Sequence, residues 1–358
     1  MKRISLMLCM LLCLSGCVQP KAAPSDYTPA YSVSTVPFEA DIPSFYRIFG
    51  NGSLTLGVVV RNYDKGTADT CYALDCVSGR DTASYLFAPE HLFWGTCLGI
   101  DGQNGIWYQG QDAQTSTHLV RYDTSGTELL NIDLGDQLPL DADYAFSWDS
   151  DSYYFLARGN DDAWLIRFDL DGQELFRRSL AEYAKDTVGY LDVEEDWLED
   201  LEGREGEPLL EMLFPAGPIN QIGLLRFQDG SVGMMIRRQS PIDAEAYGIL
   251  CTLEDDCSRA VPQYAYELET EYSICLCTYF ESATPDYDLL VTSVHGLYGI
   301  NLQKQDKTLL LTWEDADYSP AELSDSIFPS LPPRACPAPD GGLWFFKAES
   351  LVQLSPTA

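Results

Sequence analysis

At 358 residues with a formal net charge of −33, carrying 55 Asp and Glu against 22 Lys and Arg, this chain is strongly acidic. Such a surface repels nucleic acid, phospholipid headgroups and anionic wall polymers, and it draws cationic peptides or divalent ions over a Debye length. A content of 46% hydrophobic and 12% aromatic residues excludes a disordered chain, and the length supports a large core.

The first element is a leader. Lys2 and Arg3 precede an apolar run from Ile4 to Leu14, which ends in Leu14-Ser15-Gly16-Cys17. The positive start holds the cytoplasmic side, the apolar run enters the translocon, and small residues give a peptidase access. The run is too short to span a hydrocarbon core, which takes about 20 residues, and Pro20 and Pro24 follow at once. This stretch resembles the lipobox of bacterial lipoproteins. The resemblance implies a signal peptide over 1–16 cleaved after Gly16, a lipidated Cys17 with palmitate as an expected acyl group, and a protein anchored on the extracytoplasmic face of the cell membrane. Two or more acyl chains, at about 0.8 kcal/mol per buried CH₂, make that tether lasting.

A tether comes next, over residues 17–37. From Val18 to Pro37 the chain is rich in Pro, Ala, Ser and Thr, the composition of an extended spacer. Residues 38–358 then alternate short apolar strands with Asp, Gly and Asn turns.

Those strands repeat. A strand ending in Asp recurs at Tyr72-Ala73-Leu74-Asp75, Val120-Arg121-Tyr122-Asp123 and Ile166-Arg167-Phe168-Asp169, each followed by a Gly turn and a further apolar segment, with Tyr298-Gly299-Ile300-Asn301 a weaker copy. Each reads as a hairpin. Upstream in each unit, a second turn opens onto an apolar strand, near Asn51-Gly52, Asp101-Gly102, Asp149 to Ser152, Asp229-Gly230, Asp286 to Asp288 and Asp340-Gly341-Gly342. Units of roughly 50 residues with four short strands are the period of a β-propeller, whose blades bury their faces against one another. The turns resemble those of NHL-type and quinoprotein-like propellers. The reading is therefore an all-β fold of six blades; seven would require the insertion between the third and fourth turns to be a degenerate blade. The last unit supplies three strands, near Arg334 to Pro337, Leu343 to Lys347 and Leu351 to Leu354. A strand from Ala30 to Val36 would complete it and latch the ring.

The insertion carries a short acidic helix near 190–205. Asp192 and Glu195 form a capping box, Val193, Trp197, Leu198 and Leu201 form a stripe, and Gly203 stands at the C′ position. Outside the leader and Cys17, eight cysteines remain, at 71, 76, 97, 251, 257, 275, 277 and 336. Their even number outside the cytoplasm admits disulfides, of which Cys71 with Cys76 and Cys251 with Cys257 would close small loops, but buried thiols are equally consistent. No paired CxxC motifs occur.

Motifs for catalysis are sparse. His91, His118 and His295 lie in separate repeats, and no GxSxG, HExxH or phosphate-cradling loop is present. Ser147-Trp148-Asp149 begins like a sialidase Asp box, yet Asp151 replaces its Gly. Asp169-Leu170-Asp171-Gly172 lacks the later ligands of an EF-hand, so calcium is the most plausible ion only because oxygen ligands are plentiful. No catalytic, cofactor or metal residue is assigned. The expected function is a non-catalytic binding or scaffold module at the cell envelope, with an envelope protein, a peptide or a glycan as ligand and no nucleic acid. The alternatives are an extracellular glycan- or peptidoglycan-active lyase or hydrolase using carboxylates, or an accessory subunit of a transport or signalling complex. Carboxylates converging with Arg or His at the channel mouth would favour the enzyme, and apolar walls the binder.

Overall fold

The computed structural model describes residues 27–37, 47–59, 66–77, 80–135, 143–158, 163–191, 213, 222–239, 246–268, 278–282, 284–293, 295–318, 335–338, 341–347 and 350–357. Their strands form six four-stranded sheets. The first strand among the described residues is β1 (Tyr31–Pro37). Blade 1 then holds β2 (Arg47–Gly50), β3 (Thr55–Val59), β4 (Thr70–Val77) and β5 (Arg80–Phe87), and blade 2 holds β6 (Phe93–Ile100), β7 (Ile106–Gln111), β8 (Thr117–Tyr122) and β9 (Glu128–Gly135). Blade 3 is β10 (Asp143–Trp148), β11 (Ser152–Arg158), β12 (Ala163–Asp169) and β13 (Glu174–Ser179). A helix, α1 (Leu180–Asp186), follows it. Blade 4 is β14 (Ile222–Arg226), β15 (Val232–Gln239), β16 (Ala246–Leu253) and β17 (Ala260–Glu267). Blade 5 is β18 (Thr278–Glu281), β19 (Leu289–Thr292), β20 (Gly296–Asn301) and β21 (Asp306–Thr312). Blade 6 takes β22 (Ala335–Pro337), β23 (Leu343–Lys347) and β24 (Ser350–Pro356) from the end of the chain, with β1 on its outside.

The first strands of the blades, β2, β6, β10, β14, β18 and β22, each touch their counterparts on both sides, so the inner strands close into a ring. The chain is a six-bladed β-propeller, and the 30-odd surplus residues between the third and fourth turns do not form a seventh blade among the described residues.

Closure uses the two ends. All seven residues of β1 pair antiparallel with β24, from Tyr31 opposite Pro356 to Pro37 opposite Ser350. The stretch whose composition reads as tether therefore lies in the ring from Tyr31 onward. Preceding residues are also fixed: the Ala30 amide donates to the Leu310 carbonyl at 2.8 Å, and the Tyr27 hydroxyl donates to Asp315 at 2.6 Å while accepting the Thr312 amide at 3.0 Å. The N-terminal segment thus joins the body at the outer perimeter, where blades 5 and 6 meet.

The core lies between the blades. Among the described residues it divides into six apolar clusters, one for each pair of neighbours. The second strands are covered on both faces by adjoining blades, which is why β7 and β11 are buried throughout but for one end, while β9 and β13 stay largely exposed or half-exposed. Trp107 of β7 is fully buried, its ring 4.6 Å from Tyr153 and 5.2 Å from Phe155 of the next blade.

Two of the recurring Asp residues, Asp123 and Asp169, share one physical role. The Asp123 carboxylate accepts the amides of Ser125 at 2.8 Å and Thr127 at 2.9 Å, and Asp169 accepts those of Asp171 at 3.0 Å and Gln173 at 2.8 Å. A short acceptor thereby satisfies turn donors that have no ladder partner. Gly126 and Gly172 complete these turns at φ of 83° and 84°, a left-handed conformation that glycine adopts without a Cβ penalty. The Asp169 turn closes the hairpin between β12 and β13.

Helix α1 is absent from the sequence reading. Ser179 caps it, its hydroxyl accepting the Ala181 amide, and Leu180, Tyr183 and Ala184 face the core. The Tyr183 hydroxyl donates to the Cys257 carbonyl at 2.5 Å, which docks the helix against blade 4. The helix expected from Asp192 to Gly203 lies outside the described residues, as do Gly16 and Cys17. No helix among the described residues is long and apolar enough to cross a membrane.

Candidate functional site at the axial mouth

Alternation along the blades puts the turns between first and second strands on one face of the ring, together with the turns between third and fourth strands. The last residues of the six inner strands, Gly50, Ile100, Trp148, Arg226, Glu281 and Pro337, converge on the axis at that face.

Side chains link these ends in sequence around the axis. The Asn51 amide donates to the Asp101 carbonyl at 2.7 Å, joining blades 1 and 2. The Trp148 indole donates to the Ile100 carbonyl at 3.1 Å, joining blades 2 and 3. Arg226 donates from Nε to the Trp148 carbonyl at 2.9 Å and lays its guanidinium 3.6 Å from the Trp148 ring centroid. Its Nη1 then forms an ion pair with Glu281 of blade 5. At the seam between blades 1 and 6 the backbones approach so closely that a Cβ on Gly50 would overlap the Pro337 carbonyl oxygen.

Arg226 is the cation at the centre of this arrangement. Burial pulls its guanidinium below the ordinary value, while the carboxylates of Asp149 and Asp229 pull the other way. These carboxylates are engaged: Asp149 accepts the Tyr154 hydroxyl at 2.6 Å and the Asp151 amide at 2.8 Å, and Asp229 accepts the Ser231 hydroxyl at 2.6 Å and amide at 2.9 Å. The mouth therefore presents a rigid cation stacked on an aromatic face, with carboxylates on the surrounding turns. Such a surface is suited to a polar ligand that offers both hydrogen-bond donors and an apolar face.

The other sequence candidates are dispersed. His91 is exposed in the connection before blade 2, and His295 lies in a turn of blade 5. His118 of blade 2 places Nδ1 2.7 Å from the Asn131 side-chain oxygen Oδ1 and Nε2 3.5 Å from Asp112. Among the described residues no group of three or more His, Cys, Asp or Glu side chains is arranged to hold a metal ion. Five of the eight cysteines fall among described side chains, and Cys71, Cys97, Cys251, Cys257 and Cys336 are all buried and free. Cys251 and Cys257, proposed above as a loop-closing pair, are not joined.

No protein-family model matches the chain, and no curated protein matches it in sequence. Solved structures resemble it in shape. A carbohydrate-active enzyme of family AA12 from Trichoderma reesei, in a calcium structure, is 9% identical with a TM-score of 0.45, over 95% of this chain and 98% of that one. The Dos1 propeller is 10% identical with a TM-score of 0.37, over 89% and 69%. The WD40 domain of SCAP from fission yeast is 8% identical with a TM-score of 0.32, over 93% and 75%. The likeness concerns the fold alone. What identified the mouth was position: Trp148, Arg226 and Glu281 each stand just before the turn that opens their blade, a placement that aligning the six turns in sequence would have exposed.

Proposed function

We propose that this chain is a lipid-anchored, extracytoplasmic propeller of NHL-like appearance that acts as a non-catalytic binding or scaffold module at the cell envelope. A propeller fold suits such a role, since it sets loops on rigid faces around an axis. The lipobox Leu14-Ser15-Gly16-Cys17 supports the tethering, and the way the N-terminal segment enters the body says where such a tether would pull. Ten residue steps separate Cys17 from Tyr27, which spans at most about 35 Å, and Tyr27 is hydrogen-bonded to blade 5. An acylated Cys17 would therefore hold the ring close to the bilayer by its perimeter, leaving the axial mouth open to a partner, a peptide or a glycan.

The test follows acylation and capture in intact cells of a bacterial host. Labelled palmitate is expected on the wild-type chain and absent from Cys17→Ala, which should leave the membrane fraction. Crosslinking from intact cells should recover a defined partner or glycan with wild type, and at least tenfold less with Arg226→Ala at unchanged protein level. Unaltered membrane retention of Cys17→Ala would remove the anchor, and equal capture by Arg226→Ala would remove the mouth as the binding surface.

One observation favours a second reading. The mouth holds a cation, an aromatic face and carboxylates beside the apolar ends at Gly50, Ile100 and Pro337, a mixture that suits an extracellular lyase or hydrolase acting on glycan or peptidoglycan, with calcium among its helpers. Against it, Glu281, Asp149 and Asp229 are each engaged in holding the mouth together. Release of soluble saccharide from purified cell wall, lost in Glu281→Gln, would move the assignment to the enzyme.

A further inference from the structure

Two thiols from different blades meet in the layer between blades 1 and 2. Cys71 of β4 and Cys97 of β6 are both fully buried, and their sulfur atoms lie 3.8 Å apart. The strands that carry them are locked in register. The Asp69 amide donates to the Gly95 carbonyl at 2.7 Å, and the Cys97 amide donates to the Asp69 carboxylate at 3.0 Å. The Tyr108 hydroxyl, 3.0 Å from Cys71 Sγ, donates to the Asp69 carbonyl at 3.0 Å and fixes the pair from the other side. Small residues permit this approach, since a Cβ on Gly95 would come within 2.7 Å of the Ala68 Cβ.

We propose that Cys71 and Cys97 are joined by a disulfide in the exported protein, a covalent staple between blades 1 and 2. The proposal rests on the export reading above, because a cytoplasmic chain would keep both thiols reduced. A disulfide has sulfurs about 2.05 Å apart, so small side-chain rotations would have to close roughly 1.8 Å. The oxidant is a thiol–disulfide oxidoreductase or a small disulfide. The thiolate of one cysteine attacks it and breaks its S–S bond, giving a mixed disulfide. The second cysteine then attacks the first sulfur, forming the Cys71–Cys97 bond and expelling the oxidant as a dithiol. Two protons leave the cysteines and two electrons pass to the oxidant. Burial, with Cys71 adjacent, pushes the Cys97 thiol well up in the finished fold, so the exchange belongs to folding, before the layer closes. Cys251 and Cys336 differ: both are buried and free, and the Cys251 thiol donates to the Ile249 carbonyl at 3.8 Å.

The test is peptide mapping of the full chain expressed with its leader, denatured in alkylating agent without reductant. Residues 71 and 97 are expected in one linked peptide, two hydrogens lighter than the sum of its parts, and the same digest reports the acylation of Cys17. If Cys17 is acylated while Cys71 and Cys97 are both alkylated, or Cys71 is linked to Cys76, the staple is overturned and export stands. If Cys17 is bare and the thiols are free, export has failed, and the chain is then refolded with oxidised glutathione. Formation of the linked peptide in that arm supports the pairing, and separate glutathione adducts or free thiols overturn it. As a second readout, reductant should lower the Tm of wild type by several degrees and leave Cys71→Ser/Cys97→Ser unchanged.

Discussion

Asp101 carries more of the architecture than any turn residue beside it. It is 2% exposed, and its carboxylate accepts the amides of Gln103 and Gly105, the Trp107 indole at 3.0 Å and the Arg121 guanidinium at 2.6 Å. The Arg121 side chain is only 11% exposed. Asp101→Ala would strand that cation and the indole together, and removing one partner of a buried pair costs about 3–5 kcal/mol. Urea unfolding should show a loss of this size, whereas Asp123→Ala, in an exposed turn, should lose clearly less. At the same scale, Tyr27 predicts an alkaline limit. Burial, then its bond to Asp315, pushes the phenol from 10.0 up to about 12. The folded state holds that proton more tightly than the unfolded chain, so its contribution is complete below pH 10 and is lost as pH rises through 12. Stability measured across that window should fall, less steeply in Tyr27→Phe; identical slopes would rule Tyr27 out.

Among elements, β1 has the greatest leverage. It pairs with one neighbour only, yet without it β24 becomes an open edge and Tyr31 leaves the layer between blades 5 and 6. Deletion of residues 27–37 should take away much of the stability margin, which for a folded domain is about 5–15 kcal/mol, and should promote association through the bared edge. A peptide of that segment added back should restore the unfolding midpoint; an unchanged midpoint in the deletion would mean that the ring does not depend on its latch. The strand was legible in sequence because the last unit held three strands and a propeller blade needs four. Helix α1 was not, because its buried stripe comprises only Leu180, Tyr183 and Ala184, too few positions to set a helical period against the alternation of β13.

For the whole molecule, the turns were the readable part. An Asp or Asn that accepts amides of its own turn, as Asn51, Asp101, Asp149 and Asp229 do, leaves a local signature, and six Asp- or Asn-bearing turns in order gave both the blade count and the boundaries. Contacts between blades leave none: Trp148, Arg226 and Glu281 stand far apart in the chain, as do Cys71 and Cys97, and each set meets only because the ring curves back on itself. That distinction explains why the architecture could be read from spacing, while the positions of the axial mouth come out only when the six turns are aligned on one another and its contacts only in the folded ring. It also sets where binding variants should act. Substitutions at inner-strand ends such as Arg226 should alter capture and also loosen the links between blades 3, 4 and 5 that this side chain makes, whereas those in the inter-blade layers should lower stability without changing capture by the folded protein.

The union of β1 with β24 has a consequence for biogenesis. The first strand to leave the ribosome must wait for the last before it finds its neighbour, an interval on the order of half a minute at synthesis rates of about 5–20 residues per second. Throughout that time the nascent polypeptide is a string of blades with both outer margins unsealed, vulnerable to proteases and to mispairing with a sister molecule.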